Sequence, residues 1–347
     1  MANKPRSIII YAESGDTKTS QCYHFVKWLY EKTGKRCRYI CADGGGYEPV
    51  EKGGLIEMGL VEVFDITNRP RAIGDINRLS QGFWPRIIQQ GVKRVRLFDN
   101  SEQCKTTPAE WKELGGYIVE GATGIASALL SHIRNSSETV GFKFSYSYEE
   151  DGYRVQGLQE GHYGIVQQEL YKLIVQGFEN LPIDYLLFTA RVGKGERKRT
   201  QESCYGPQVC GNAVTPDVPS WFKDCIHLSR EFTDIEREGE KVKLEQVVAW
   251  FQNHPDINTG IDYLCKTRLT PEVFPVLLRK FPAGYIPMDT ERGIGRYLDA
   301  LEILEARAKG INLKWKQEVD SKRNSGSATS APTIETESSS TDNAIAN

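Results

Sequence analysis

The chain of 347 residues is long enough for one large domain with an appendage, or for two modest domains. Hydrophobic residues make up 39% and charged residues 26%, a balance that supports a sizeable core and excludes a fibrous or disordered class. A formal net charge of −2 gives no overall field toward nucleic acid or membrane, so any polyanion binding has to come from a local patch.

Eight cysteines are scattered without a CxxC pair, which excludes zinc-ligand spacing and reads as reduced thiols of a cytoplasmic protein. The N-terminal apolar run is too short for a signal peptide, and no segment approaches the roughly 18–20 residues of a membrane span. No membrane partner is expected.

Ser7 to Tyr11 reads as a buried strand. Cys22, Phe25, Val26, Leu29 and Tyr30 then recur at helical spacing until Gly34. Cys37–Ala42 is a second strand, ending in Asp43-Gly44-Gly45-Gly46, and Val61–Ile66 a third. Ala72–Gln90 reads as a helix, and Val92–Phe98 and Tyr117–Glu120 are short apolar runs. This alternation predicts an α/β fold of three layers around a mostly parallel sheet.

Phe142–Val155 alternates around Asp151-Gly152, predicting a β-hairpin inserted at about 140–157 on one sheet edge. Tyr163–Phe178 reads as a helix, Tyr185–Thr189 as a buried strand, Arg191–Asn212 as a polar loop, and Cys225–Leu228 as a last core strand. Beyond residue 235, Val242–Phe251, Val273–Phe281 and Ile294–Lys309 read as helices broken by prolines. The expected division is a core over 1–235, a small, mostly helical accessory region over 236–318, and a Ser/Thr-rich tail over 319–347 too polar to fold.

Between the first strand and the first helix, Ala12-Glu13-Ser14-Gly15-Asp16-Thr17-Lys18-Thr19 lies over the pattern G-x-x-x-x-G-K-[ST], followed by Ser20. A phosphate-binding loop needs inward N–H groups, a helix N-terminus, a lysine near the terminal phosphates and a hydroxyl for Mg²⁺. Gly15, Lys18 and Thr19 meet those needs, and Ala12 costs little where the strand leaves the sheet. Thr17 departs most: a β-branched residue resists the left-handed region, so it is tolerable in such a loop only if φ stays negative there.

Glu120 ends an apolar strand, as expected of an acid that holds Mg²⁺, although aspartate is usual there. Asp43, ending the strand after the loop's helix, reaches the same crevice in a parallel sheet and is the candidate to polarise an attacking water. Thr189 ends another core strand as a polar sensor. Arg191-Val-Gly-Lys194-Gly-Glu-Arg197-Lys198-Arg199 follows, the one dense basic segment of the chain. Such a run is a solvated loop, a holder of nucleic-acid phosphates, or a source of an arginine finger for a neighbouring copy.

Taken together, SGDTKTS, YIVEG, GHYGIVQQEL, YLLFTAR, YGPQVCGNAVTPDVPSWF and IHL resemble phage-encoded RecA-like P-loop ATPases, AAA-type nucleotide-binding proteins of single-strand annealing and recombination. The resemblance spans roughly Ser7 to Glu231. It implies a RecA-like core, ATP with Mg²⁺, single-stranded DNA, and homo-oligomeric rings or filaments. On that resemblance Lys18 and Thr19 are the loop pair, Glu120 the Mg²⁺-side acid, Asp43 the water-orienting acid and Thr189 the sensor. The segment from Arg191 to Asn212 matches the one that faces DNA.

The leading expectation is therefore a Mg²⁺-dependent ATPase acting on single-stranded DNA in phage recombination or replication. The alternative is a non-catalytic nucleotide-binding module of a phage replication or packaging assembly, favoured by Ala12, Thr17 and Glu120. Gly161-His162-Tyr163-Gly164 has no role assigned from sequence.

Overall fold

A computed structural model of the chain describes residues 4–308 apart from 16, 68–70, 91–92, 141–146, 151–152, 157–159, 198, 210 and 238–239. The expected tail over 319–347 lies outside the described residues.

The elements follow in chain order as β1 (Arg6–Ala12), α1 (Lys18–Thr33), β2 (Arg36–Cys41), α2 (Glu48–Lys52), β3 (Val61–Asp65) and α3 (Ala72–Ser80). Next come β4 (Arg86–Gln90), β5 (Lys93–Leu97), α4 (Pro108–Glu113), β6 (Leu114–Glu120) and α5 (Ala122–Val140). After β7 (Ser147–Glu150) and β8 (Tyr153–Gln156), α6 (Glu160–Tyr171) runs into a π-helical turn over Lys172–Gly177. Then come β9 (Tyr185–Glu196), β10 (Ser203–Gln208), α7 (Gly211–Val214), β11 (Asp224–Arg237) and β12 (Glu240–Trp250). The C-terminal part holds β13 (His254–Pro255), β14 (Asp262–Tyr263), β15 (Lys266–Thr267), α8 (Phe274–Lys280), β16 (Tyr285–Pro287) and α9 (Ile294–Ala308).

The main sheet runs β3-β2-β6-β9-β1-β11-β12-β16. Its first six strands are mutually parallel, and β12 and β16 continue it antiparallel. One face packs on α1, α8 and α9, the other on α3, α5 and α6 with the π-helical turn. This is the expected three-layer α/β arrangement, with a mixed, mostly parallel sheet. Strands buried on both faces explain why β1, β2 and β6 read as continuous apolar runs rather than alternating ones.

Several expectations are corrected. The segment Val242–Phe251 is strand β12, not a helix, because it pairs residue for residue with β11 from His227↔Trp250 to Arg237↔Glu240. Long-range pairing overrides a local pattern rich in Val and Leu. The region after 235 is consequently part of the main sheet rather than a helical appendage, although α8 and α9 form as expected. The helix expected over Ala72–Gln90 stops at Ser80, where Gly82 takes φ +85°, and Arg86–Gln90 becomes β4, paired with β5. Of the hairpin expected over Phe142–Val155, β7 and β8 pair with each other, and among the described residues they form a two-stranded sheet of their own; 142–146 and the Asp151-Gly152 turn lie outside the described residues. The polar loop Arg191–Asn212 is instead a second hairpin, β9–β10, from Arg191↔Gln208 to Glu196↔Ser203.

Toward the β3 edge, Arg38 is fully buried on β2. Its guanidinium donates to Glu62 Oε2 at 2.9 Å, Thr106 Oγ1 at 2.5 Å, Tyr117 Oη at 2.9 Å and Glu110 Oε1 at 3.3 Å. It also lies 4.6 Å from the Trp84 ring centre, so one cation ties β2, β3, α4 and β6 together. Replacing Arg38 by Met removes the donor to the buried Thr106 Oγ1 and Tyr117 Oη, while Glu62 and Glu110 keep Arg36 and Arg86, and should cost about 3 kcal/mol in urea denaturation.

Candidate functional site

β1 delivers Ala12 to the carboxyl end of the sheet, and the chain turns through Glu13–Thr17 into α1. Two residues of this turn are left-handed: Gly15 at φ +91° and Thr17 at φ +60°. The negative φ that would make Thr17 tolerable in a phosphate loop is thus not found. The residue directly preceding α1 must reverse the chain over the strand end, and the left-handed well does this even at the cost of a β-branched clash, about 1–2 kcal/mol. Asp16 lies outside the described residues.

Thr17 makes no side-chain cap, its buried hydroxyl has no hydrogen-bond partner, and the first turn of α1 carries no acid. Among the described residues, which do not include Asp16, the leading N–H groups and positive end of this 16-residue helix therefore meet no side-chain cap and no first-turn acid. Such an end suits an anion. Lys18 folds back over the loop, its Nζ donating to the carbonyls of Ala12 at 2.9 Å and Glu13 at 2.6 Å.

Registry brings the acids to this end. Cys41 on β2 is level with Glu120 on β6, and Thr189 on β9 is level with Ile10 on β1. One strand, β9, separates β6 from β1, a lateral gap of roughly 10 Å at about 4.8 Å per strand. Thr19, in the first turn of α1, reaches across this gap and its Oγ1 donates to Glu120 Oε1 at 3.3 Å.

Glu120 is buried, and its Oε2 has no hydrogen-bond partner. Burial first, and then the nearby charge of Asp43, push its carboxyl up to about 7, against the opposing pull of the Thr19 hydroxyl, Lys18 and Thr189. Space for this carboxylate exists only because residue 46 is glycine: a Cβ there would lie 2.1 Å from Oε2. Asp43 is seated in the same way at the start of α5. A Cβ on Gly124 would lie 3.0 Å from Asp43 Oδ1, and one on Gly121 3.0 Å from its Cγ. Thr189 Oγ1 accepts from Gly121 N at 2.9 Å, so this hydroxyl fixes the turn that leaves Glu120.

The basic run is divided by its strand. Arg191 turns to Asp43, with Nη2 3.9 Å from Oδ2. Lys194 and Arg199 are exposed, Arg197 faces Glu202 at 3.5 Å, and Lys198 lies outside the described residues. The structure thus joins Lys18, Thr19, Glu120, Asp43, Thr189 and Arg191, and leaves Lys194, Arg197 and Arg199 farther along the β9–β10 hairpin, whose β10 also pairs with β14.

Sequence reading missed Gly46, Gly121 and Gly124, although the glycines flanking Asp43 and Glu120 were visible in DGGG and EGATG. It also missed Arg230 on β11, whose Nη2 donates to Gly15 O at 3.2 Å while Nη1 meets Glu245 at 3.0 Å. Only the β1–β11 pairing brings that cation to the loop. On the same edge of the sheet, Trp250, His254, His227 and Tyr263 stack, with ring centres 3.8 Å apart for Trp250–His254 and 3.9 Å for His227–Tyr263. Burial pushes the His227 imidazole down to about 3 and that of His254 down to about 4, so both are neutral packing groups near pH 7. In the Gly161–Gly164 motif His162 is buried in α6, while Tyr163 lies against Gly211.

Among the described residues no cluster of three or more His, Cys, Asp or Glu side chains is placed to hold a metal ion. Also among them, no helix is long and apolar enough to cross a membrane. Compared with protein-family models the chain matches none, and no curated protein matches it.

Two expectations follow from this geometry. Thr17→Gly removes the left-handed strain and the unpartnered hydroxyl, and should raise stability by about 1 kcal/mol in chemical denaturation. Glu120, with a folded-state value of about 7 against an ordinary 4.5, binds its proton more tightly folded than unfolded. Its protonation therefore favours folding fully below the ordinary value, and that contribution is lost as pH rises through about 7. The melting temperature of the wild type should fall from about pH 5 to about pH 8 more steeply than that of Glu120→Gln, measured without divalent cations.

Proposed function

We propose that this chain is a RecA-like P-loop ATPase that acts on single-stranded DNA, in the setting of phage recombination or replication. The observation that carries this reading is the contact of Thr19 with Glu120, at 3.3 Å, across a single intervening strand. It unites a lysine–threonine pair at an uncapped helix N-terminus with a buried acid whose second oxygen lacks a partner.

In this reading the N–H groups of the loop and of the first turn of α1 bind the phosphates of ATP, and Lys18 exchanges its bonds to the Ala12 and Glu13 carbonyls for terminal phosphate oxygens. Thr19 and Glu120 would hold Mg²⁺. They are hard oxygen donors, too few for an all-protein cage, as suits an ion that takes its other ligands from phosphates and water. Bound there, Mg²⁺ would neutralise charge developing on the phosphate oxygens. Asp43, at the opposite side of the crevice, accepts a hydrogen bond from the attacking water and orients it. Thr189 senses the terminal phosphate through the turn it already holds.

DNA binding rests on the hairpin β9–β10. Lys194 is exposed on β9, which runs unbroken from Thr189 to Glu196, and Arg197 and the exposed Arg199 follow it; Lys198 of the same run lies outside the described residues. Homo-oligomerisation into a ring or filament would align such hairpins along one strand of DNA and bring a basic residue to a neighbour's site. The non-catalytic alternative, a nucleotide-binding structural module, draws support from the strained Thr17 in the place of glycine.

Measuring ATP hydrolysis with and without single-stranded DNA separates the two. The ATPase reading expects turnover that rises with DNA, and loss of fluorescent-ATP-analogue binding in a folded Lys18→Ala variant. Unchanged analogue affinity in that variant would sink the phosphate-loop reading. Replacing Lys194, Arg197, Lys198 and Arg199 by Ala should weaken DNA binding and flatten its salt dependence by about one log–log unit per lost phosphate contact, with analogue affinity retained.

A further inference from the structure

Arg191 stands apart from the other basic residues of its run. Its side chain is 58% exposed, yet it turns inward to Asp43, itself 31% exposed, with Nη2 3.9 Å from Oδ2. Its backbone is tied to the same corner. Arg191 N donates to Thr123 Oγ1 at 3.2 Å, and the Thr123 hydroxyl donates to Gln208 O. Gln208 is the partner of Arg191 in the β9–β10 pairing.

Thr123 belongs to the first turn of α5, the turn whose glycines make room for Asp43. One arginine therefore connects the acid at the end of β2, the start of α5 and the root of the β9–β10 hairpin. It lies two residues beyond Thr189 and three before Lys194 on one unbroken strand.

We infer that Arg191 is a positioning residue acting within its own chain, a cation shared in turn by Asp43 and the terminal phosphate. This rests on the ATPase reading. Without nucleotide the guanidinium holds Asp43. The pair is exposed and loosely spaced, hence weak. A terminal phosphate offers more negative charge and a bidentate geometry that a guanidinium matches, so it competes for the same cation.

The exchange frees an Asp43 oxygen to accept a hydrogen bond from water. Because the Arg191 backbone is part of the hairpin root, it also couples the phosphate to the position of Lys194. No bond is made or broken by Arg191 itself; it redistributes hydrogen bonds and charge.

The test uses the full chain with Arg191→Gln and Arg191→Lys. Thermal melting and a fluorescent ATP analogue check folding and binding, and hydrolysis is followed with and without single-stranded DNA. Expected for Arg191→Gln are analogue affinity within about threefold of wild type, kcat lower by about tenfold or more, and loss of DNA stimulation. DNA should still bind in the absence of ATP, since Lys194, Arg197, Lys198 and Arg199 are intact. Arg191→Lys should recover part of kcat.

In an Asp43→Asn background, Arg191→Gln should lower kcat by less than it does in the wild type, because part of its effect runs through Asp43. Wild-type kcat and wild-type DNA stimulation in Arg191→Gln would overturn the inference, as would a loss undiminished in the Asp43→Asn background. A wild-type chain that binds no ATP analogue overturns the ATPase reading and this inference together. That failure shows in the wild type, and so is distinct from failure of the arginine alone.

Discussion

Thr19 Oγ1 donates to a carboxyl group that the fold has taken out of water, and the rest of the site is arranged around that group. Glu120 closes β6 with its side chain buried, and burial makes its ionised form costly. The fold answers with a hydroxyl from α1, the nearby charge of Lys18 and a bond from Thr189, and it clears space by omitting a side chain at Gly46. One oxygen is still without a partner. A buried carboxyl left partly unsatisfied at a crevice, beside a helix N-terminus with no side-chain cap, is a costly arrangement for packing alone and a useful one for binding cationic and anionic groups together.

The surrounding framework holds these groups on rigid elements. α1 is clamped from behind by α9, where Trp28 Nε1 donates to Asp299 Oδ1 at 2.8 Å and Lys32 pairs with Asp299 and Glu302. Gly295 is packed so tightly on Trp28 that a Cβ there would lie 2.7 Å from the indole. The helix that presents Lys18 and Thr19 is thus fixed by the C-terminal segment. That segment in turn belongs to the sheet through β12 and β16. On the other side, β9 runs without a break from the core at Tyr185 to the hairpin at Glu196, so Thr189, Arg191 and Lys194 stand on one strand.

The residues themselves determined the alternation of strands and helices, and with it an α/β fold. The loop, its Lys18 and Thr19, and the acids ending two strands were legible because each depends on a local rule. Strands buried on both faces are apolar throughout, Gly34 at φ +69° stops α1, and the loop joins a strand to a helix. Tertiary structure decided which strand ends meet. The insertion of β9 between β1 and β6, which sets Glu120 within reach of Thr19, has no signature in either segment. Val242–Phe251 became a strand and Arg191–Asn212 a hairpin because hydrogen-bond partners distant in sequence outweighed local periodicity. Thr17 was driven into a left-handed conformation, Arg230 brought to the loop and Arg191 turned toward Asp43 by the same cause. Strand order and registry arise from contacts between segments far apart in the chain, and no window of sequence contains both partners.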